Sequence, residues 1–133
     1  MIDTRSLDEE SSLRGHIALV TAGAGGLGKG IALALANCGA HVCIWDNDEK
    51  ALAACKTEFE TLGLDITLTK VDLLDNDDLN QAFNALILRH KKLDILINNA
   101  GGSLHTPFKF LDETDQDWAR VFELNLMTTV RLT

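Results

Sequence analysis

Apolar positions along this chain follow two alternating rhythms. Short continuous apolar runs at residues 16–21, 40–45, 65–71 and 93–97 predict four strands. Between them, apolar residues recur at three- and four-residue intervals and predict helices over 26–37, 48 to about 62, and 75 or 76 to about 91. In the third of these, Leu79, Phe83, Leu86 and Ile87 fall on one face. A last helix is predicted from Asp115 to the chain end. The punctuation agrees with the rhythm. Gly39 and Gly63 follow the first two helices as natural stops, and Asp75 or Asn76 is a suitable cap for the third. Residues 101–109, with the only proline, Pro107, read as a loop. Residues 1–14 are a polar, acidic lead-in, and residues 15–133 a single domain.

Strictly alternating strand and helix imply parallel strands with right-handed crossovers, hence a doubly wound α/β sheet of the Rossmann type. The expected order of the four strands is 3-2-1-4. Strands that are apolar along their whole length suit a sheet covered on both faces. In such sheets ligands bind at the carboxyl ends of the strands, where the order reverses, here between strands 1 and 4.

The first strand-to-helix turn reads Gly23-Ala24-Gly25-Gly26-Leu27-Gly28. Gly23, Gly25 and Gly28 satisfy G-x-G-x-x-G. The first turn of a helix carries unpaired N–H groups and partial positive charge, so a glycine turn there can cradle a pyrophosphate. A tight turn without a ligand is the plainer reading of the glycines alone; the flanking strand and helix favour the dinucleotide site. Asp46 follows the second strand at about the 20-residue spacing of a ribose-binding acid. It would accept from both ribose hydroxyls and repel a 2′-phosphate, so NAD is expected rather than NADP. Neither Gly25 nor Asn47 offers the cation that a 2′-phosphate would need. The plainer alternative is a solvated acid in an acidic loop. Asp72-Leu73 closes the third strand, where the carboxylate either contacts an adenine amino group or caps the following turn. Asn98-Asn99-Ala100-Gly101 ends the fourth: Ala100 and Gly101 would let a cofactor lie against backbone, and the asparagines would tie strand ends together.

Composition narrows the classes. The chain has 133 residues, 46% of them hydrophobic, and a net charge of −8. That charge excludes the basic face of a nucleic-acid binder. No apolar run reaches the roughly 20 residues that span a bilayer. Three cysteines without a C-x-x-C pair point to a reducing, cytoplasmic setting. Cys38 and Cys43 are expected to be buried. Four histidines at scattered positions show no ligand spacing, so no metal site is expected.

On these residues the chain, from about Gly15 to Thr133, resembles the N-terminal half of a short-chain dehydrogenase/reductase. The family's T-G-x-x-x-G-x-G motif aligns with Thr21-Ala22-Gly23-Ala24-Gly25-Gly26-Leu27-Gly28, with Ala22 in place of the first glycine. Gly23 is expected to absorb the strain of that replacement. Asp72 matches the family's adenine-contacting acid, and Asn98-Asn99-Ala100-Gly101 its N-N-A-G motif without change. Asn125 is the next match. It shares a helix face with Trp118, Val121 and Phe122. A buried amide there needs a partner: a bond to backbone is the plainer reading, the resemblance implies that it anchors a water in a proton relay, and the two are compatible.

The resemblance implies an NAD(H)-dependent oxidoreductase for an alcohol/ketone pair, forming a homo-oligomer through its last helix. The family's catalytic Ser and Tyr-x-x-x-Lys have no counterpart here, and the chain contains no tyrosine. The sheet is therefore expected to be truncated after about four strands, with strand 4 left as an open edge. A non-catalytic dinucleotide-binding or interaction module is the alternative reading.

Overall fold

The computed structural model describes residues 12–104 and 109–133. Most of the polar lead-in and the proline-containing part of the loop after residue 104 lie outside the described residues. Four parallel strands, β1 (Ile17–Thr21), β2 (His41–Asp46), β3 (Ile66–Lys70) and β4 (Ile95–Ile97), form one sheet in the order β3-β2-β1-β4. The expected α/β architecture is thus present. Three crossovers carry α1 (Gly26–Asn37), α2 (Glu49–Thr61) and α3 (Asn76–His90). A final helical run is α4 (Asp115–Phe122), a π turn over Glu123–Met127, and α5 (Thr128–Leu132). The π turn carries no signal in the apolar spacing.

Strand alternation divides the core. Ala18, Val20, Val42 and Ile44 meet α1 and α2 through Ala32, Ala36, Leu52 and Phe59. Leu19, Cys43 and Trp45 point to the other face, where Leu79, Ala82 and Leu86 of α3 and Leu132 of α5 cover them. The two central strands are buried on both sides, which is why they read as unbroken apolar runs. Both outer strands are only half-buried. Leu13 already packs against the first cluster, and its N–H donates to Cys38 O.

Local chemistry sets the element ends. Asp48 and Asp75 accept from two first-turn N–H groups each at α2 and α3. Thr114 and Asp117 make a reciprocal capping box at α4. After α1, the Gly39 and Ala40 N–H groups bond Ala36 O and Leu35 O, closing the helix as a Schellman motif. β4 is two residues shorter at its start than expected. There Asp94 takes over the pairing: its N–H donates to Ile17 O, and its carboxylate accepts from Ile17 N at 2.7 Å. That backbone bond and the Lys92 ammonium hold the Asp94 carboxyl below its ordinary pKa.

One expectation about the cysteines is corrected, and two dispersed histidines prove to be neighbours. Cys38 is exposed, because it is the residue on which α1 ends. Histidines far apart in sequence meet in space. The rings of His41 and His90 lie with centroids 4.7 Å apart, beside the buried Cys43. Burial pushes the Cys43 thiol up to about 11, opposed by the Arg89 charge. Burial, then His41 and Arg89, lower the pKa of His90.

Candidate dinucleotide site

The carboxyl ends of β1 and β4 part around the glycine turn. Here the backbone departs from the sequence expectation. Ala22 itself takes the left-handed conformation, at φ 49°, and Gly23 does not. For a residue with a Cβ this conformation costs about 1–2 kcal/mol. Gly23 is needed for space instead: a Cβ there would stand 2.9 Å from both Val20 O and Ile44 Cγ2. Gly28 is tighter still. A Cβ on it would meet Ala22 O and the Asn99 amide, so α1 can approach the strand ends only with glycine at this position.

Thr21 organises the junction, a role that its place at the head of the glycine motif does not announce. Its buried hydroxyl donates to Ile97 O and accepts from the N–H groups of Asn99 and Ala100, both at 3.0 Å. The available signal was a polar β-branched residue ending an otherwise apolar strand. Asn99 adds two bonds, from Nδ2 to Thr21 O and Ala22 O, each 3.1 Å. One amide thus ties β4's end to the left-handed turn.

The amino terminus of α1 has no side-chain cap and no acid in its first turn. A Cβ on Gly25 or Gly26 would meet nothing within 4 Å. The space over this helix end is open, and the N–H groups facing it suit an anion. Asp46 stands beside it, half-buried. Its Oδ2 accepts from Ala24 N and its Oδ1 from Asp48 N, both at 3.1 Å. Each oxygen retains a further acceptor direction for a hydroxyl. The nearby Lys70 is engaged by Glu49 at 2.8 Å.

A cavity of about 170 Å³ continues from Asp46 across the strand ends. Ala22, Asn47, Asp72, Leu73, Ala100 and Gly101 line it, with Trp45, Val71 and Leu74 from the core side and Leu104 and Leu124 opposite. Gly23, Gly25, Gly26, Leu27, Gly28 and Asn99 do not line this cavity; they shape the adjoining turn and helix end. Leu27 is exposed on the first turn of α1. Asp72 makes an Asx turn, its Oδ1 accepting from Leu74 N at 2.9 Å, while its own N–H donates to Asp78. That is the turn-capping role; the adenine role would use its other oxygen.

Asn125 stands on the π turn and clamps the backbone after the N-N-A-G stretch. Its Oδ1 accepts from Gly102 N at 2.9 Å, and its Nδ2 donates to Gly102 O at 2.7 Å and to Val121 O at 2.8 Å. A Cβ on Gly101 would sit 2.7 Å from Asn125 Oδ1. π turns interrupt the regular helical ladder and recur at functional sites.

The profile of the short chain dehydrogenase family matches residues 16–133. This chain belongs to the short-chain dehydrogenase family. The short chain dehydrogenase/reductase dpfgG of Gibberella zeae is 37% identical over 93% of this chain and 45% of its own. The crystal structure of gox2181 superposes with a TM-score of 0.85 at 28% identity, covering 92% of this chain and 48% of that one. The RhlG/NADP complex of Pseudomonas aeruginosa gives 0.78 at 34% identity, over 90% and 46%. This short-chain dehydrogenase chain therefore spans about half the length of the relatives it matches. Members of the family bind nicotinamide dinucleotides, and the open helix end beside Asp46 fits that cofactor's diphosphate and ribose. Among the described residues, no helix of this short-chain dehydrogenase is long and apolar enough to cross a membrane.

Proposed function

We propose that this chain is the cofactor-binding half of an NAD(H)-dependent oxidoreductase that acts on an alcohol/ketone pair. The uncapped, glycine-lined start of α1 beside the half-buried Asp46 carboxylate carries the reading. α1 would receive the pyrophosphate through its first-turn N–H groups. Asp46 would hold the adenosine ribose through its free acceptor directions and repel a 2′-phosphate. Asn47 and Leu73 would flank the adenosine, with the second oxygen of Asp72 turned to the adenine amino group. Asn99, Ala100 and Gly101 keep the backbone low where the nicotinamide ribose would pass. Bound cofactor supplies hydride transfer between its nicotinamide and a carbonyl carbon.

Asn125 is a positioning residue in this scheme. By holding Gly102 at both backbone groups, it would shape the wall next to the reacting end, where the family's relay water would be anchored. The phenol that would exchange a proton with substrate is not in this chain, which contains no tyrosine. Turnover by these residues alone is therefore not expected. Trp118, Phe122, Leu126 and Val130 form an exposed apolar stripe along the last helical run. It supports homo-oligomer assembly through that helix in the complete enzyme, and the three cysteines without a C-x-x-C pair favour a cytoplasmic setting.

Isothermal titration of the full chain with NAD⁺ and NADP⁺ tests the central claim. NAD⁺ is expected to bind at least tenfold more tightly, and Asp46→Asn to erase most of that difference. Equal or tighter binding of NADP⁺ by the unaltered chain would overturn the assignment.

A further inference from the structure

The opposite end of β2 holds a second constellation. His41 opens the strand, about 16 Å from Asp46 at the rise of an extended chain. Strand alternation turns His41 and Cys43 to the face that α3 covers, and His90 is the last residue of α3. One ligand atom from each of His41, Cys43 and His90 lies within 4.8 Å of the others. Cys43 Sγ is 3.6 Å from His90 Nε2. With zinc–sulfur bonds of about 2.3 Å and zinc–nitrogen bonds of about 2.0–2.1 Å, a tetrahedral ion holds such a pair roughly 3.5 Å apart. The sulfur–nitrogen edge is already at that length.

The hydrogen bonds around His41 prepare it as a ligand. Its Nδ1 lies 3.3 Å from Asp65 Oδ2 and its Nε2 2.8 Å from Thr67 Oγ1. An ionised carboxylate only accepts, so Nδ1 carries the proton. In the neutral ring Nε2 then presents its lone pair on the side of Thr67, the register partner of Cys43. A carboxylate behind the far nitrogen of a histidine is the arrangement that orients imidazole ligands on metals.

We propose that His41, Cys43 and His90 bind one zinc-class divalent cation through two imidazole nitrogens and a thiolate, pinning the carboxy-terminal end of α3 to β2. The Cys43 thiol gives its proton to solvent as the sulfur–metal bond forms, and no electron is transferred. The fourth position faces the cleft lined by Thr67, Thr69 and Arg89, where water or a small anion completes the tetrahedron. Two nitrogens and one sulfur select zinc-like ions over calcium and magnesium, which take oxygen ligands. The site lies away from the proposed dinucleotide site, so its role is structural.

The test uses the full chain, freed of metal by a chelator and titrated with Co²⁺ and then Zn²⁺. One Co²⁺ per chain is expected, with sulfur-to-cobalt charge-transfer absorption that Zn²⁺ bleaches, and a thermal midpoint that rises with Zn²⁺. Cys43→Ser should abolish the charge-transfer band. Asp65→Asn, at an exposed position, should keep the band and weaken affinity about tenfold. Cys38→Ser should change neither. Absence of the band from the unaltered chain, or a band lost in Cys38→Ser and kept in Cys43→Ser, would overturn the proposal. If Cys43→Ser does not fold by circular dichroism, unaltered affinity in both Asp65→Asn and His90→Gln would overturn it as well.

Discussion

Among the described residues, the α-helices that begin from extended chain start in two ways. At α2, α3 and α4 a side chain steps in for the missing acceptors: Asp48, Asp75 and Thr114 each take up first-turn N–H groups. At α1 nothing does, and Gly25 and Gly26 leave the space in front clear. The first three starts are finished by the chain itself and contribute stability. The fourth forgoes that contribution and leaves its donors free of any side-chain cap, which is where the proposed function puts the pyrophosphate. Glycine alone does not mark the difference, since α1's start also contains Gly28, which serves packing and not the open space.

Substitutions can pull these roles apart. Gly28→Ala should have the largest effect. Its Cβ would press on backbone at Ala22 O, so about 3 kcal/mol of stability is expected to be lost in urea unfolding, with nucleotide binding lost alongside. Asp75→Ala should cost about 1 kcal/mol in the same assay and leave NAD⁺ affinity unchanged, since its cap lies at α3. Gly25→Asp tests the comparison most directly. Gly25 has extended backbone and open surroundings, so an aspartate fits there and caps α1. Stability without ligand should rise by a few tenths to about 1 kcal/mol, while NAD⁺ affinity falls at least tenfold on titration. Affinity that stayed constant would show that the open helix end is not the phosphate site. Ala22→Gly should be the mildest change. Relief of the left-handed strain, offset by a more flexible unfolded chain, leaves a gain of about 0.5 kcal/mol, readable as a higher thermal midpoint.

Much of this could be read along the chain. Helices capped by Asp48 and Asp75 and ended before Gly39 and Gly63 announce themselves locally. Buried strands show as apolar runs because both faces of β1 and β2 are covered. Strand order followed from handedness and alternation together. The glycine turn and Asp46 were legible from spacing, the Asn99-Ala100-Gly101 backbone from its place at a strand end and its resemblance to a family motif, and the fold brings them to one end of the sheet. Other features left no local trace. Thr21 looked like the last residue of a strand, yet its hydroxyl serves backbone groups of residues 97, 99 and 100. Gly23 was the natural candidate for strain, but it is needed for space, since a Cβ there would press on Val20 and Ile44, and the left-handed residue is Ala22. Cys38 sat in an apolar stretch that happens to end at the surface.

Periodicity, caps and stop residues belong to neighbours within one or two turns of chain, and these wrote the element order and the parallel α/β plan into the primary structure. Contacts across the sheet answer to register and to how helices settle on it. Pairing Cys43 with Thr67 and landing the end of α3 on β2 brings His41, Cys43 and His90 together from positions that share no spacing. The Asn125 clamp on Gly102 likewise exists only once the last helix has docked. Such meetings depend on distances between residues far apart in the chain, and only packing sets those distances.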